Sequence, residues 1–181
     1  MKRIVVTAAV LLLAVSTGFA QKYMTRTGKV SFKSNGNEAI EAVNSEVGCV
    51  MDGATGDVAF QVMIKSFKFE KALMQDHFNE NYMESDKYPK AEFRGKLDNM
   101  PAVFSGKDGT YKVNATGTMT IHGVKKEVVV PGTITRAGDK LTLSANLLVL
   151  FADYGIKIPD LVKGKVGTEA SVKLEAATAK K

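Results

Sequence analysis

"GTYKVNATGTMTIHGVKKEVVVPGTITRAG", residues 109 to 138, decides the fold. Tyr111, Val113, Ala115, Gly117, Met119 and Ile121 alternate with Lys112, Asn114, Thr116, Thr118 and Thr120. Side chains leave a strand on opposite faces in turn, so this period of two marks a half-buried β-strand. His122-Gly123 then supplies a two-residue turn, with the glycine accepting positive φ. A hairpin closed there pairs residues whose numbers sum to 245: Ile121 with Val124, Gly117 with Val128, Ala115 with Val130 and Tyr111 with Ile134. One register sorts both strands into an apolar and a mostly polar face. A slip by one residue would invert every side chain, so the pattern fixes the pairing.

The same alternation recurs outward from this hairpin. Eight strands are expected, at about 23–33, 38–51, 57–69, 90–97, 111–121, 124–136, 140–151 and 165–176. Turn signals such as "SNGN", "DGATGD", "GKDG" and "RAGD" separate most of them. Short antiparallel links suit an all-β, eight-stranded antiparallel β-barrel, which leaves no free edge, with a two-sheet sandwich as the alternative. Apolar positions change from even to odd numbers between Ile64 and Phe67, so a bulge is expected at Lys65-Ser66. Residues 70–83, "EKALMQDHFNENYM", break the alternation. Met74, Phe78 and Tyr82 recur every four residues, with Leu73 and His77 beside them, which predicts a short amphipathic helix inserted between strands.

Residues 1–20 read as a secretory signal peptide: Lys2 and Arg3, then an apolar run over residues 4–15, then Gly18 and Ala20 at the cleavage-site positions. The expectation is a soluble mature chain, periplasmic or secreted, forming a single domain over residues 21–181. Without Lys2 and Arg3 the formal net charge falls from +6 to +4. The remaining lysines are dispersed, which argues against nucleic acid but is compatible with transient contact with an anionic membrane. Cys49, the only cysteine, alternates with Val47 and Met51 and reads as a small core residue.

His77 lies among Asp76, Glu80, Glu84 and Asp86 and admits three readings. A general base needs a placed nucleophile, and no nucleophile motif accompanies it. A metal ligand needs companions, and His122, the only other histidine, has no ligand spacing to it. The favoured reading is structural: His77 ties the helix to a strand end or loop, and His122 serves its turn. No catalytic residue, metal or cofactor is assigned.

"ALMQDHFNENYMESDKYPKAEFRGKL", "GTYKVNATGTMTIHGVKKEV" and "FADYGIKIP" together resemble the YceI-like family of exported lipid-binding proteins, over about residues 23–176. The first strand, "YMTRTGKVSF", departs from the family pattern, lacking the Asp and the His-Ser that often precede the first Phe. The resemblance implies a lipocalin-like barrel holding a polyisoprenoid, or another long-chain lipid such as an isoprenoid quinone or acyl chain. Alternation alone leaves a solid barrel and a hollow one about equal; the resemblance favours the hollow one. Phe60, Val62, Ile64, Phe67, Phe69, Val113, Ala115, Met119, Val128, Leu143 and Leu147 would then line it, with Leu73, Met74 and Phe78 closing it. The expected function is an exported carrier or sequestering protein for such a lipid. A lipid-modifying enzyme using His77 and a ligand-free interaction module are the alternatives.

Overall fold

The computed structural model describes residues 22–181. The leader-like segment, residues 1–20, lies outside them. Nine strands follow in order: β1 (Lys22–Ser34), β2 (Glu41–Asp52), β3 (Asp57–Met63), β4 (Lys68–Phe69), β5 (Lys90–Leu97), β6 (Gly109–Ile121), β7 (Val124–Ala137), β8 (Lys140–Leu150) and β9 (Glu169–Lys180). Three short helices interrupt them: α1 (Ala72–His77), α2 (Met100–Ser105) and α3 (Asp160–Val166).

All pairings are antiparallel, in the order β1-β9-β8-β7-β6-β5-β3-β2, and β2 pairs again with β1. The sheet thus closes into an eight-stranded barrel, with the two-residue β4 a satellite of β2. The central hairpin keeps its expected register along its whole length, from Gly109 opposite Arg136 to Ile121 opposite Val124. Its turn has positive φ at both His122 (51°) and Gly123 (76°), the mirror-image geometry that matches strand twist.

Two strands and one helix differ from expectation. The expected bulge at Lys65-Ser66 is a full 3₁₀ turn, Ile64–Ser66, which splits the predicted strand 57–69 into β3 and β4. Asn44 seals this corner by donating from Nδ2 to the Met63 carbonyl at 2.8 Å. The last strand starts at Glu169 rather than residue 165, because residues 160–166 coil into α3 after Pro159. α2 was also not legible as a helix; its six residues are too few to show a helical period.

β7 and β8 pair only between Gly132–Ala137 and Lys140–Ala145. Pro131, which has no N–H to give, stands where their ladder stops. Above it, the segment after β8 folds back against the start of β7. A Lys126–Asp153 ion pair of 2.7 Å and burial of Tyr154 and Ile156 hold it there.

The interior is packed at one end and hollow toward the other. At the packed end, Val103 of α2 is fully buried and Phe104 lies 5.3 Å from Tyr23, ring to ring. Met51, Val58, Leu97, Ile134 and Leu141 complete this plug. Cys49 belongs to the same core, as expected, and burial pushes its thiol up to about 12.

Candidate functional site

Above the plug the inward residues of the strands leave a cavity of about 670 Å³. Its walls follow from alternation. On β8, Leu143, Ala145, Leu147 and Val149 all line it, as do Ala170, Val172 and Leu174 on β9. Small residues make the room: Ala115 on β6, Gly132 on β7 and Ala145 on β8 stand where larger side chains would meet across a barrel of this size.

All the sequence-derived candidates except Val128 line the cavity: Phe60, Val62, Ile64, Phe67, Phe69, Leu73, Met74, Phe78, Val113, Ala115, Met119, Leu143 and Leu147. Val128 lies on the expected face, opposite Gly117, and packs half-buried against the core without reaching the cavity. Gly117 in turn faces Gly95 of β5 across a close backbone approach in which neither position has room for a Cβ. The wall of the cavity on β7 is Val130 and Gly132.

α1 continues at Phe78–Tyr82 into a π turn, in which the Met83 N–H donates to the Phe78 carbonyl at 2.9 Å. The extra residue in that turn brings Met83 onto the face shared by Met74, Phe78 and Tyr82, and all four line the cavity. The four-residue spacing had pointed to Met74, Phe78 and Tyr82 but not to Met83. Phe32 of β1 was also missed. It sits among Phe67, Phe69 and Phe78 at centroid distances of 5.4, 5.8 and 5.4 Å. Its alternation with Val30, which is also on the wall, was the available signal.

The mouth lies between α1, residues 35–40 and α3, each of which contributes lining residues. α3 is fastened to the facing loop by backbone hydrogen bonds from Asn37 N–H to the Gly164 carbonyl (2.9 Å) and from Glu38 N–H to the Lys165 carbonyl (3.2 Å). Gly36 permits this approach; a Cβ there would run into the Lys165 backbone. The polar groups at the mouth are few: Lys71, His77, and a Glu38–Lys165 ion pair of 3.1 Å. Ser34, 5% exposed, also borders the cavity, and its hydroxyl has no partner among the described residues.

One of the two histidines departs from its expected role: His122 is structural, as expected, and His77 is not the tie between helix and strand. His77 is exposed at the mouth, and its Nδ1 meets Asn81 Nδ2 of its own helical segment at 2.9 Å. Among the described residues it ties α1 to no strand or loop by a hydrogen bond. That work falls to His122, whose ring reaches the Tyr154 carbonyl (3.2 Å) through Nδ1 and Glu84 Oε1 (3.1 Å) through Nε2. Its ring also meets Tyr88 edge-on at 4.6 Å. The β6–β7 turn, the return loop from α1 and the segment after β8 are thus joined at one side chain. Among the described residues no group of three or more His, Cys, Asp or Glu side chains is placed to hold a metal ion, and no helix is long and apolar enough to cross a membrane.

The fold has counterparts among known proteins. A polyisoprenoid-binding domain from Saccharophagus degradans, implicated in plant cell wall breakdown, superposes with a TM-score of 0.77 at 13% identity, over 90% of this chain and 99% of its own. Burkholderia cenocepacia BcnA gives a TM-score of 0.68 at 22% identity, over 84% and 96%. The Campylobacter jejuni YceI protein gives 0.59 at 19%, over 76% and 82%. At these identities the likeness is one of fold. No curated protein matches the sequence. The model of the YceI-like domain matches residues 13–178, nearly the whole chain, and the protein therefore belongs to the YceI-like family.

Proposed function

We propose that this protein is an exported, non-enzymatic carrier or sequestering protein that holds one long-chain apolar lipid, a polyisoprenoid or a similar isoprenoid or acyl chain, inside its barrel. The observation that carries the reading is the cavity of about 670 Å³, walled almost entirely by Phe, Leu, Val, Ile, Met and Ala. That volume and lining are typical of a small-molecule site. The polyisoprenoid-binding domain of the same fold supports the choice of ligand. The signal-peptide pattern in residues 1–20 supports export to the periplasm or beyond.

The energetics suffice. A buried CH₂ contributes about 0.8 kcal/mol, so a five-carbon isoprene unit contributes roughly 4 kcal/mol. Association costs about 4–15 kcal/mol, so roughly three to six buried units reach micromolar affinity. Chain length is then selected by the depth of the cavity above the plug rather than by affinity per carbon.

The test is native mass spectrometry and lipid extraction of protein purified from its own host. A mass increment that extracts into organic solvent as one lipid class is the expected result. A protein that arrives empty and shows no saturable uptake of isoprenoid or acyl chains would overturn the reading.

A further inference from the structure

We infer that the rim of the cavity docks on an anionic phospholipid bilayer, with Leu161 of α3 entering the lipid and the lysines beside it meeting the headgroups. The inference rests on the carrier reading and names the partner with which the cavity exchanges its contents. Leu161 is 93% exposed, the most exposed of the large apolar side chains among the described residues, and it does not line the cavity. Its helix neighbours Val162 and Val166 do line it, so Leu161 stands on the lip of the opening. Leu73, 66% exposed, stands on the opposite lip and turns into the cavity. Two bare leucines flanking an apolar mouth make a patch whose removal from water is favourable only against another apolar phase.

The charges select which phase. Lys157, Lys163 and Lys165 are exposed on the same segment as Leu161, against Asp160 there and Glu38 paired to Lys165. On the other lip, Lys71 is offset by Glu70 and Asp76. The net cationic side of the rim is therefore the Leu161 side, the arrangement of an interfacial helix with its leucine in the acyl region and its lysines at headgroup level. α3 is too short to bind as an independent amphipathic helix, but its backbone bonds to residues 37 and 38 hold it in place. A long isoprenoid has almost no aqueous concentration, so a mouth seated on the bilayer gives it a path that avoids water.

The chain contains no Trp, so Leu161→Trp introduces a single reporter. On mixed phosphatidylglycerol–phosphatidylcholine vesicles its emission is expected to move to the blue and to be quenched by brominated lipid. Added salt should weaken the effect, as should vesicles of phosphatidylcholine alone. Leu161→Asp is expected to float with the same vesicles at least about tenfold less than the parent protein, while its equilibrium uptake of a short isoprenoid alcohol stays unchanged. No spectral shift on vesicles, or equal flotation of Leu161→Asp, overturns the inference. So does a shift that depends on protein concentration without vesicles, which would mean that a second copy covers the rim. Loss of isoprenoid uptake by the parent protein is a separate result and counts against the cavity reading alone.

Discussion

Phe78 of the inserted helical segment stacks on Phe32 of β1, ring centroids 5.4 Å apart and planes 23° from parallel. Phe67 and Phe69 meet the Phe78 ring at 5.5 and 5.0 Å. The contact that pins α1 to the barrel is therefore also wall of the cavity. Phe78→Ala is expected to cost about 2–3 kcal/mol, below the range for a fully buried Phe because the ring is half-buried, and to weaken lipid uptake with it. Denaturant titration measures the first and a lipid-uptake isotherm the second. A Phe32/Phe78 double-mutant cycle should return a coupling of about 0.5–1.5 kcal/mol, and a coupling of zero would remove the stack as the anchor.

The histidines should separate cleanly. His122→Ala removes the ring that meets the Tyr154 carbonyl and Glu84, leaves Glu84 only its 3.8 Å pair with Lys87, and places an alanine at φ 51°. A loss of about 1–3 kcal/mol is expected. His77→Ala removes only an exposed contact to Asn81 and should change stability by less than about 0.5 kcal/mol. Urea unfolding of the two variants decides the assignment; the reverse ranking would refute it.

What the sequence disclosed and what it concealed divide along the range of the interactions. The β6–β7 hairpin was legible to the residue because its turn is two residues long and its period is two. The inward faces of β3, β6 and β8 followed from the same period, and so did most of the cavity wall. α2 and α3 have six and seven residues, fewer than two turns, and their place is set by what they plug and what they hydrogen-bond. Val128 obeyed the alternation, yet alternation assigns a face and not a position along it: Val130 and Gly132 on the same strand reach the cavity and Val128 does not. His77 was misassigned because a place beside acids in sequence does not bring a side chain to a strand or loop, and the contacts of His122, structural as expected, stayed hidden because Tyr154 lies 32 residues away.

A hollow end and a packed end respond differently to volume. Ala145→Phe adds a ring where the cavity offers space, so it should cost less than about 1.5 kcal/mol while abolishing uptake of a long isoprenoid. Val103 is fully buried in the plug, so Val103→Phe should cost at least about 2 kcal/mol with no direct effect on the cavity wall. Thermal melts and uptake isotherms of the pair test this. Equal destabilisation by both would mean that the barrel is filled along its whole length.

Cys49 gives the last prediction, through its protonation. Burial in the core raises its pKa from 9.0 to about 12, because the thiolate has no solvation or positive partner there. The native protein should resist thiol-specific alkylation at neutral pH and react fully once unfolded. The shift also links to stability. Below pH 9 both states hold the proton and the group adds no slope. Between about 9 and 12 the unfolded chain releases it while the native one retains it, so the group's contribution falls by about 1.4 kcal/mol per pH unit. Cys49→Ala removes this component and leaves those of the tyrosines and lysines. The difference in unfolding free energy between the two proteins should therefore drift toward the variant as pH rises above 9. A difference independent of pH across that window would place the thiol in contact with solvent.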